Sequence, residues 1–190
     1  MWILTLQWSS MMKSKPTIAL ASCLSLALAV PALAVGIAHE DRMEMTAVMQ
    51  AAITPDHAIR IAENGGGTAY AYGMESTQSG QNWYEVDVLR GGSKLAVRID
   101  PATGKVLRSN PARGVGAEGS DALQGSKVSF SEAVAMAERT GNGRALEANA
   151  AGRGRNAYVD VDVIQGKTIA HYRVSMRNGQ MQARVTGTSS

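Results

Sequence analysis

Tyr84-Glu85-Val86-Asp87-Val88-Leu89-Arg90-Gly91-Gly92-Ser93-Lys94-Leu95-Ala96-Val97-Arg98-Ile99 decides the fold. Tyr84, Val86 and Val88 alternate with Glu85 and Asp87, the period-two pattern of a half-buried strand. Leu95, Val97 and Ile99 alternate with Ala96 and Arg98 in the same way. Gly91-Gly92 between them is a two-residue hairpin signal. That turn sets the register: with Arg90 opposite Ser93, Glu85 falls opposite Arg98 and Val86 opposite Val97. The pattern returns further along as Val161-Asp162-Val163, Gly166-Lys167 and Arg173, which places Asp160 opposite Arg173 and Asp162 opposite His171. Opposite charges therefore meet at the matching site of both hairpins. Each such exposed pair contributes only a few tenths of a kcal/mol, roughly.

Working outward, Ile53 to Leu107 aligns with Val128 to Gln182 at one constant offset and without a gap. Thr54 matches Ser129, Ala58 matches Ala133, Ala62-Glu63 matches Ala137-Glu138, and Gly104 matches Gly179. An internal repeat of this kind governs the reading of the whole architecture. Each copy opens on a helix. In the first, Thr54 is the N-cap, Pro55 takes the first helical position and Asp56 follows. Ala58, Ile59, Ile61 and Ala62 form its buried side, and Gly65-Gly66-Gly67 stops it. In the second, Ser129-x-x-Glu132 is a capping box, Ala133, Val134 and Ala137 face inward, and Gly141 ends the helix. Less sharply patterned strands are expected over Thr68–Met74 and Arg144–Asn149. Asp100 to Gly104 turns the chain into Lys105-Val106-Leu107, as Arg177-Asn178-Gly179 does before Gln180-Met181. The fold class expected is α+β: two tandem repeats, each a helix packed on a three- to four-stranded antiparallel sheet. A layer pair of about 55 residues is marginal alone, so the copies are expected to share an interface or to dimerise.

The segments outside the copies divide naturally. Residues 1–34 read as a signal peptide, with translation starting at Met11 or Met12. Lys13 and Lys15 supply its basic end, Thr17 to Val30 its apolar run, and Ala32-Leu33-Ala34 the cleavage pattern. Leu20-Ala21-Ser22-Cys23 also fits a lipoprotein box, with Cys23 as the lipid carrier. Residues 35–52 form a separate helical segment, with Met45, Val48, Met49 and Ala52 on one face. Residues 53–108 are the first copy, 109–127 a flexible linker rich in Gly, Ala and Ser, and 128–185 the second copy. The chain holds 19 Lys and Arg against 16 Asp and Glu, and two of the lysines lie in the signal segment. The remainder is nearly neutral, without the basic patch of a nucleic-acid binder. Cys23 is the single cysteine, so beyond the signal segment there is no disulfide and no thiol chemistry. No second apolar run is long enough to span a membrane.

Three stretches resemble the PepSY domain: Ile53-Thr54-x-x-x-Ala58-Ile59-x-Ile61-Ala62, then Tyr84-Glu85-Val86-Asp87-Val88, then Val97-x-Ile99-Asp100-x-x-Thr103-Gly104-Lys105-Val106-Leu107. The second copy resembles a diverged version, with Ser175 in place of Asp100 and Asn178-Gly179-Gln180-Met181 in place of Thr-Gly-Lys-Val. PepSY domains occur in propeptides of thermolysin-type metallopeptidases and in small secreted bacterial proteins. The resemblance implies a secreted or periplasmic, non-enzymatic protein that binds and inhibits an extracytoplasmic peptidase or docks on another envelope protein. It carries over no catalytic residue and no cofactor. No His-Glu-x-x-His is present, so the resemblance implies action in trans.

The chemistry-bearing residues are few. His57 falls in the first helical turn and His171 on the charged sheet face, neither with a ligand partner at metal spacing. No Gly-x-Ser-x-Gly elbow occurs. The candidates for a metal are His39, Met43, Met45 and Met49, whose imidazole and thioethers suit Cu(I) and whose i,i+4 pairs fall on a helix. Methionines at such spacing also simply pack a core. The alternatives to a peptidase inhibitor are thus an envelope copper protein using this segment, and a structural or sensory binding module. Glu85/Asp87 and Asp160/Asp162 offer a face for a cation, or pair with Arg98 and Arg173. Arg144, Arg153 and Arg155 surround a Gly-rich loop at 149–156.

Overall fold

The structure, a computed structural model, describes residues 39–112 and 115–185. Residues 1–34, read above as a signal peptide and including Cys23, lie outside the described residues. Helix α1 (His39–Gln50) leads into α2 (Pro55–Glu63) and four strands: β1 (Thr68–Ser76), β2 (Asn82–Arg90), β3 (Ser93–Ile99) and β4 (Val106–Pro111). A 3₁₀ helix (Val115–Leu123) then precedes α3 (Phe130–Gly141) and four more strands. These are β5 (Arg144–Ala151), β6 (Tyr158–Gln165), β7 (Thr168–Ser175) and β8 (Met181–Val185), with a short 3₁₀ turn at Gly154–Asn156. The fold is α+β. All eight strands form one antiparallel sheet in the order β4-β3-β2-β1-β5-β6-β7-β8.

The hairpin registers are those the turns dictate. Glu85 lies opposite Arg98 and Val86 opposite Val97, while Asp160 faces Arg173 and Asp162 faces His171. Tyr84, Val86, Val88, Val97 and Ile99 point to the helices and are buried, as are Val159, Val161, Val163 and Val174. Helices α2 and α3 touch each other on that side, and each reaches the central strand of the other half.

Strands β1 and β5 join the halves. Tyr72 pairs with Ala148, Ala71 with Asn149 and Gly73 with Glu147. Each strand carries a bulge, at Tyr70 and at Leu146. The bulges equate Tyr70 with Leu146, Ala71 with Glu147 and Gly73 with Asn149. The two flanking pairs are therefore equivalent, and a local two-fold axis passes through Tyr72–Ala148. This corrects the gapless alignment: β1 and β5 correspond one residue further apart than the helices do. The reason is a half-buried glutamate in each half. Ala69 N donates to Glu63 Oε1 (3.0 Å) and Ala145 N to Glu138 Oε1 (2.9 Å), so the strand starts at the helix carboxylate whatever the loop length. Burial raises both carboxyl pKa values above the ordinary range.

Other local devices also recur. Pro101 O accepts from Ala52 N and Ile53 N, and Met176 O accepts from Lys127 N and Val128 N, holding the entry to each helix. Asp100 Oδ1 accepts from Ala102 N, Thr103 N and Thr103 Oγ1, and Gly104 sits at φ 74, which only glycine adopts freely. Gly179 does the same at φ 70 beside Ser175, whose shorter side chain accepts one bond, from Arg177 N. The capping box of Ser129 and Glu132 forms. Thr54 makes no side-chain cap bond, because its hydroxyl donates to Asp56 instead.

Three expectations change. The stretch 109–127 is not simply a flexible linker: it completes β4, then forms the 3₁₀ helix, and Ser120 and Ala122 are buried. The Gly-rich loop at 149–156 begins as strand through Ala151, because Asn149 and Ala150 pair with β6. Helix α1 buries Met45, Ala47 and Val48 but exposes Met49, a face rotated toward residue 47 from the one expected. Arg144 fastens the end of this helix, donating from Nη1 to Val48 O (2.8 Å), which also accepts from Ala51 N, and to Ala51 O (2.9 Å) just past the last turn.

The seam generates a test. Tyr72 is 2% exposed, stacks at 5.6 Å on Tyr84 and donates to Ala145 O at 3.2 Å. Tyr72→Ala should destabilise the protein by about 3–5 kcal/mol, the usual cost of deleting a buried aromatic. Because both halves share the seam, calorimetry should show one transition shifted as a whole. Two separate transitions would contradict a shared core.

Candidate functional site

The same alternation that buries the valines sends every second residue to the sheet's other face. In each half an acid, an arginine and an aromatic ring meet there. Arg98 Nε donates to Glu85 Oε2 at 2.9 Å and its guanidinium lies 4.4 Å from the Trp83 ring. Arg173 grips Asp160 with two bonds, 2.7 and 2.8 Å, and lies 3.9 Å from the Tyr158 ring. Asp162 bonds His171 Nδ1. The expected cross-strand charge pairs are thus in place.

Asp87 is different. Its cross-strand neighbours are Ala71 and Ala96, and it has no ion pair among the described residues. Burial, with Glu85 next along the strand, pushes its carboxyl up to about 6. Glu75 is raised as well, by burial and then by Glu85, with Arg98 opposing and Glu147 adding to the rise. Asp162 stays above the ordinary range through burial, even though His171 pulls it down.

These groups line a cavity of about 1440 Å³ across the centre of the face. Ala71, Gly73, Glu147 and Asn149 contribute from the seam strands, Glu44 from α1, and Gly119 and Asp121 from the 3₁₀ helix. Both α1 and the 3₁₀ helix lie against β1 and β5. Tyr70, the bulge residue of β1, also lines the cavity, is 0% exposed, and its hydroxyl has no hydrogen-bond partner among the described residues. Its pKa rises to about 12, through burial and the nearby Asp87 carboxylate. A smaller cavity of about 610 Å³ continues over Asp160, His171 and Arg173.

The residues singled out from sequence are scattered. Met45 is buried and Met49 is 53% exposed, so that i,i+4 pair does not converge; the side chain of His39 lies outside the described residues. Among the described residues no group of three His, Cys, Asp or Glu side chains has the geometry to hold a metal. His57 is exposed at the start of α2. The arginine cluster separates: Arg144 holds α1, Arg153 pairs with Asp121, and Arg155 is exposed. What sequence reasoning missed is Tyr70 and the isolation of Asp87. The bulge breaks the alternation in β1, so nothing in the pattern assigns Tyr70 to this face. The pairing of β1 with β5, which brings two acidic halves together, is a long-range event.

Residues 52–110 match the sequence profile of the PepSY family, described as the peptidase propeptide and YPEB domain. These residues, from the entry to α2 into β4, are a PepSY domain. No curated protein sequence matches the chain. Among solved structures, the crystal structure of a candidate lipoprotein from Clostridium difficile 630 is similar at 14% identity and a TM-score of 0.41, over 74% of this chain and 99% of that one. Among the described residues no helix is long and apolar enough to cross a membrane.

The isolation of Asp87 has a measurable consequence. Its folded pKa lies above the unfolded carboxylate value, so the stability it contributes is present at low pH and is lost as pH rises through about 4 to 6. Asp87→Asn should therefore raise the melting temperature at pH 7.5 and leave it unchanged at pH 3.5. After discounting for solvent screening at a half-buried site, roughly 1 kcal/mol and about 2–4 °C are expected. A loss of stability at both pH values would show that the carboxylate has a structural partner.

Proposed function

We propose that this is a secreted or periplasmic, non-enzymatic protein that binds and inhibits an extracytoplasmic peptidase. The observation that carries the reading is the PepSY match itself, to a family whose description names peptidase propeptides. It is supported by what lies at the end of the matched segment. Strand β4 is one of the two edge strands of the sheet, and its Val106 and Leu107 are 46% and 52% exposed. An edge strand offers unpaired backbone groups, and exposed apolar side chains beside them add contact area for an incoming chain. On this reading residues 128–185 are a second, diverged PepSY-like copy, and its part is to extend the sheet into a rigid platform. The mechanism is steric: the edge of the sheet covers a partner's cleft or adds a strand to it. No group of the protein takes part in chemistry.

The test is a titration of the purified protein into the peptidase activity of an envelope extract, read with a fluorogenic peptide. Inhibition is expected at low micromolar protein. Val106→Glu with Leu107→Glu should weaken it at least tenfold with little change in melting temperature, because both side chains are exposed. Full peptidase activity in the presence of excess protein would overturn the inhibitor reading.

A further inference from the structure

The central cavity calls for an occupant that neither the fold nor an inhibitory edge strand explains. Its carboxylates outnumber the cations that answer them. Arg98, Arg173 and His171 are taken up by Glu85, Asp160 and Asp162, and Arg153 by Asp121. Lys94 also lines the cavity but makes no ion pair with Asp87. Among the described residues, Asp87, Glu75 and Glu147 are left without a cation within ion-pair distance. A second, independent observation marks the same place. Tyr70 is fully buried, yet among the described residues its hydroxyl has no partner, although a buried hydroxyl ordinarily finds one. It stands where a ligand donor or acceptor would complete it.

The size and floor of the cavity indicate what that ligand is. At about 1440 Å³ it exceeds the roughly 300–1,000 Å³ of small-molecule pockets. A single metal ion is a poor fit to the geometry as well. Gly73 lies at the middle of the floor, and a side chain added there would meet only Glu75 Oε1, at 3.9 Å. The floor is thus open to close approach by a polypeptide backbone. Residues of α1 and of the 3₁₀ helix, both of which lie against β1 and β5, stand over this floor and make the cavity a groove.

We propose that this groove binds an extended basic segment of a partner protein, with an arginine or lysine side chain seated between Asp87, Glu75 and Glu147 and hydrogen-bonded to Tyr70. The cation supplies what each of these groups lacks: a counter-charge for the isolated carboxylates and a donor for the buried phenol oxygen. The groove lies on the opposite side of the central strands from α2 and α3 and does not include Val106 or Leu107. It stands whether or not the partner is a peptidase. It also explains why a destabilising carboxylate occupies β2: ligand binding relieves a cost that folding alone does not.

The experiment is fluorescence anisotropy of the purified protein with a labelled Gly-Arg decapeptide and its citrulline twin, which keeps the shape and removes the charge. Saturable binding of the arginine peptide is expected, with at least tenfold weaker binding of the citrulline peptide. Asp87→Asn should weaken binding at least tenfold while the same preparation melts no lower than the parent. Tyr70→Phe should weaken it several-fold. Asp56→Asn, on helix α2 and outside the groove, should bind as the parent does. Equal affinity for the two peptides, or equal affinity of the parent and Asp87→Asn, would overturn the assignment. So would equal weakening by Asp56→Asn, which would reduce the effect to net charge.

Discussion

The pairing of β1 with β5 is the constraint on which the rest depends. Each half, a helix on four strands, is too small to bury much apolar surface by itself. Joining the halves edge to edge removes the most exposed edge from each, continues one sheet through eight strands, and brings α2 and α3 into contact over a common core. The join runs through three residue pairs, Tyr72–Ala148 at its centre. The large ring meets the small side chain, so the two-fold axis is occupied by one tyrosine instead of two. The Tyr72 hydroxyl crosses the seam to Ala145 O, and Arg144 from the second half fastens α1 from the first. The halves therefore exchange fastenings as well as surface.

Two devices hold each half to the seam. A helix glutamate takes the backbone N–H at the start of the first strand, and the following bulge turns a side chain toward the groove. The first device is polar and half-buried, and its raised carboxyl pKa records the cost of that partial burial. The second delivers chemistry: it places Tyr70 in one half and Leu146 in the other at equivalent positions. The groove is thus built on a symmetric frame and furnished unequally: Lys94 stands in one half where the other has Ile169, and Ala96 where the other has His171. The acids at 87 and 162 are the same, but only Asp162 has an imidazole across from it. Ligand chemistry resides in those differences.

What makes the face a surface and not a core is electrostatic. Six carboxylates near one another would repel if all were ionised and unpaired. Arg98 and Arg173 neutralise two of them across the hairpins, and His171 hydrogen-bonds a third. Trp83 and Tyr158 cover the two guanidinium groups, giving them apolar contact without removing their charge. The centre, at Asp87, Glu75 and Glu147, is left uncompensated, and there the floor is glycine.

The local structure was legible in the residues. Hairpin registers followed from Gly91-Gly92 and Gly166-Lys167, because a two-residue turn leaves one register in which the apolar side chains share a face. The capping box and the Asp100 turn followed from short-range hydrogen bonding, which spacing alone specifies. The corrections all fall where long-range contacts decide. The rotation of α1 is set by the strands beneath it, so Met49 faces solvent although the spacing equally allows it inward. Residues 115–123 are held by β1 and β5, and no local pattern of Gly, Ala and Ser reveals that. The shift between β1 and β5 is set by a glutamate reaching across a loop. The isolation of Asp87 and the unpartnered Tyr70 hydroxyl belong to the same class. The sequence by itself determined the hairpins, their charge pairs and the PepSY identity of the first half, because these rest on neighbours a few bonds apart. Only the tertiary structure decided that two acidic faces meet at a seam and form a groove, because pairing between residues some 75 positions apart is chosen by the burial of the whole core.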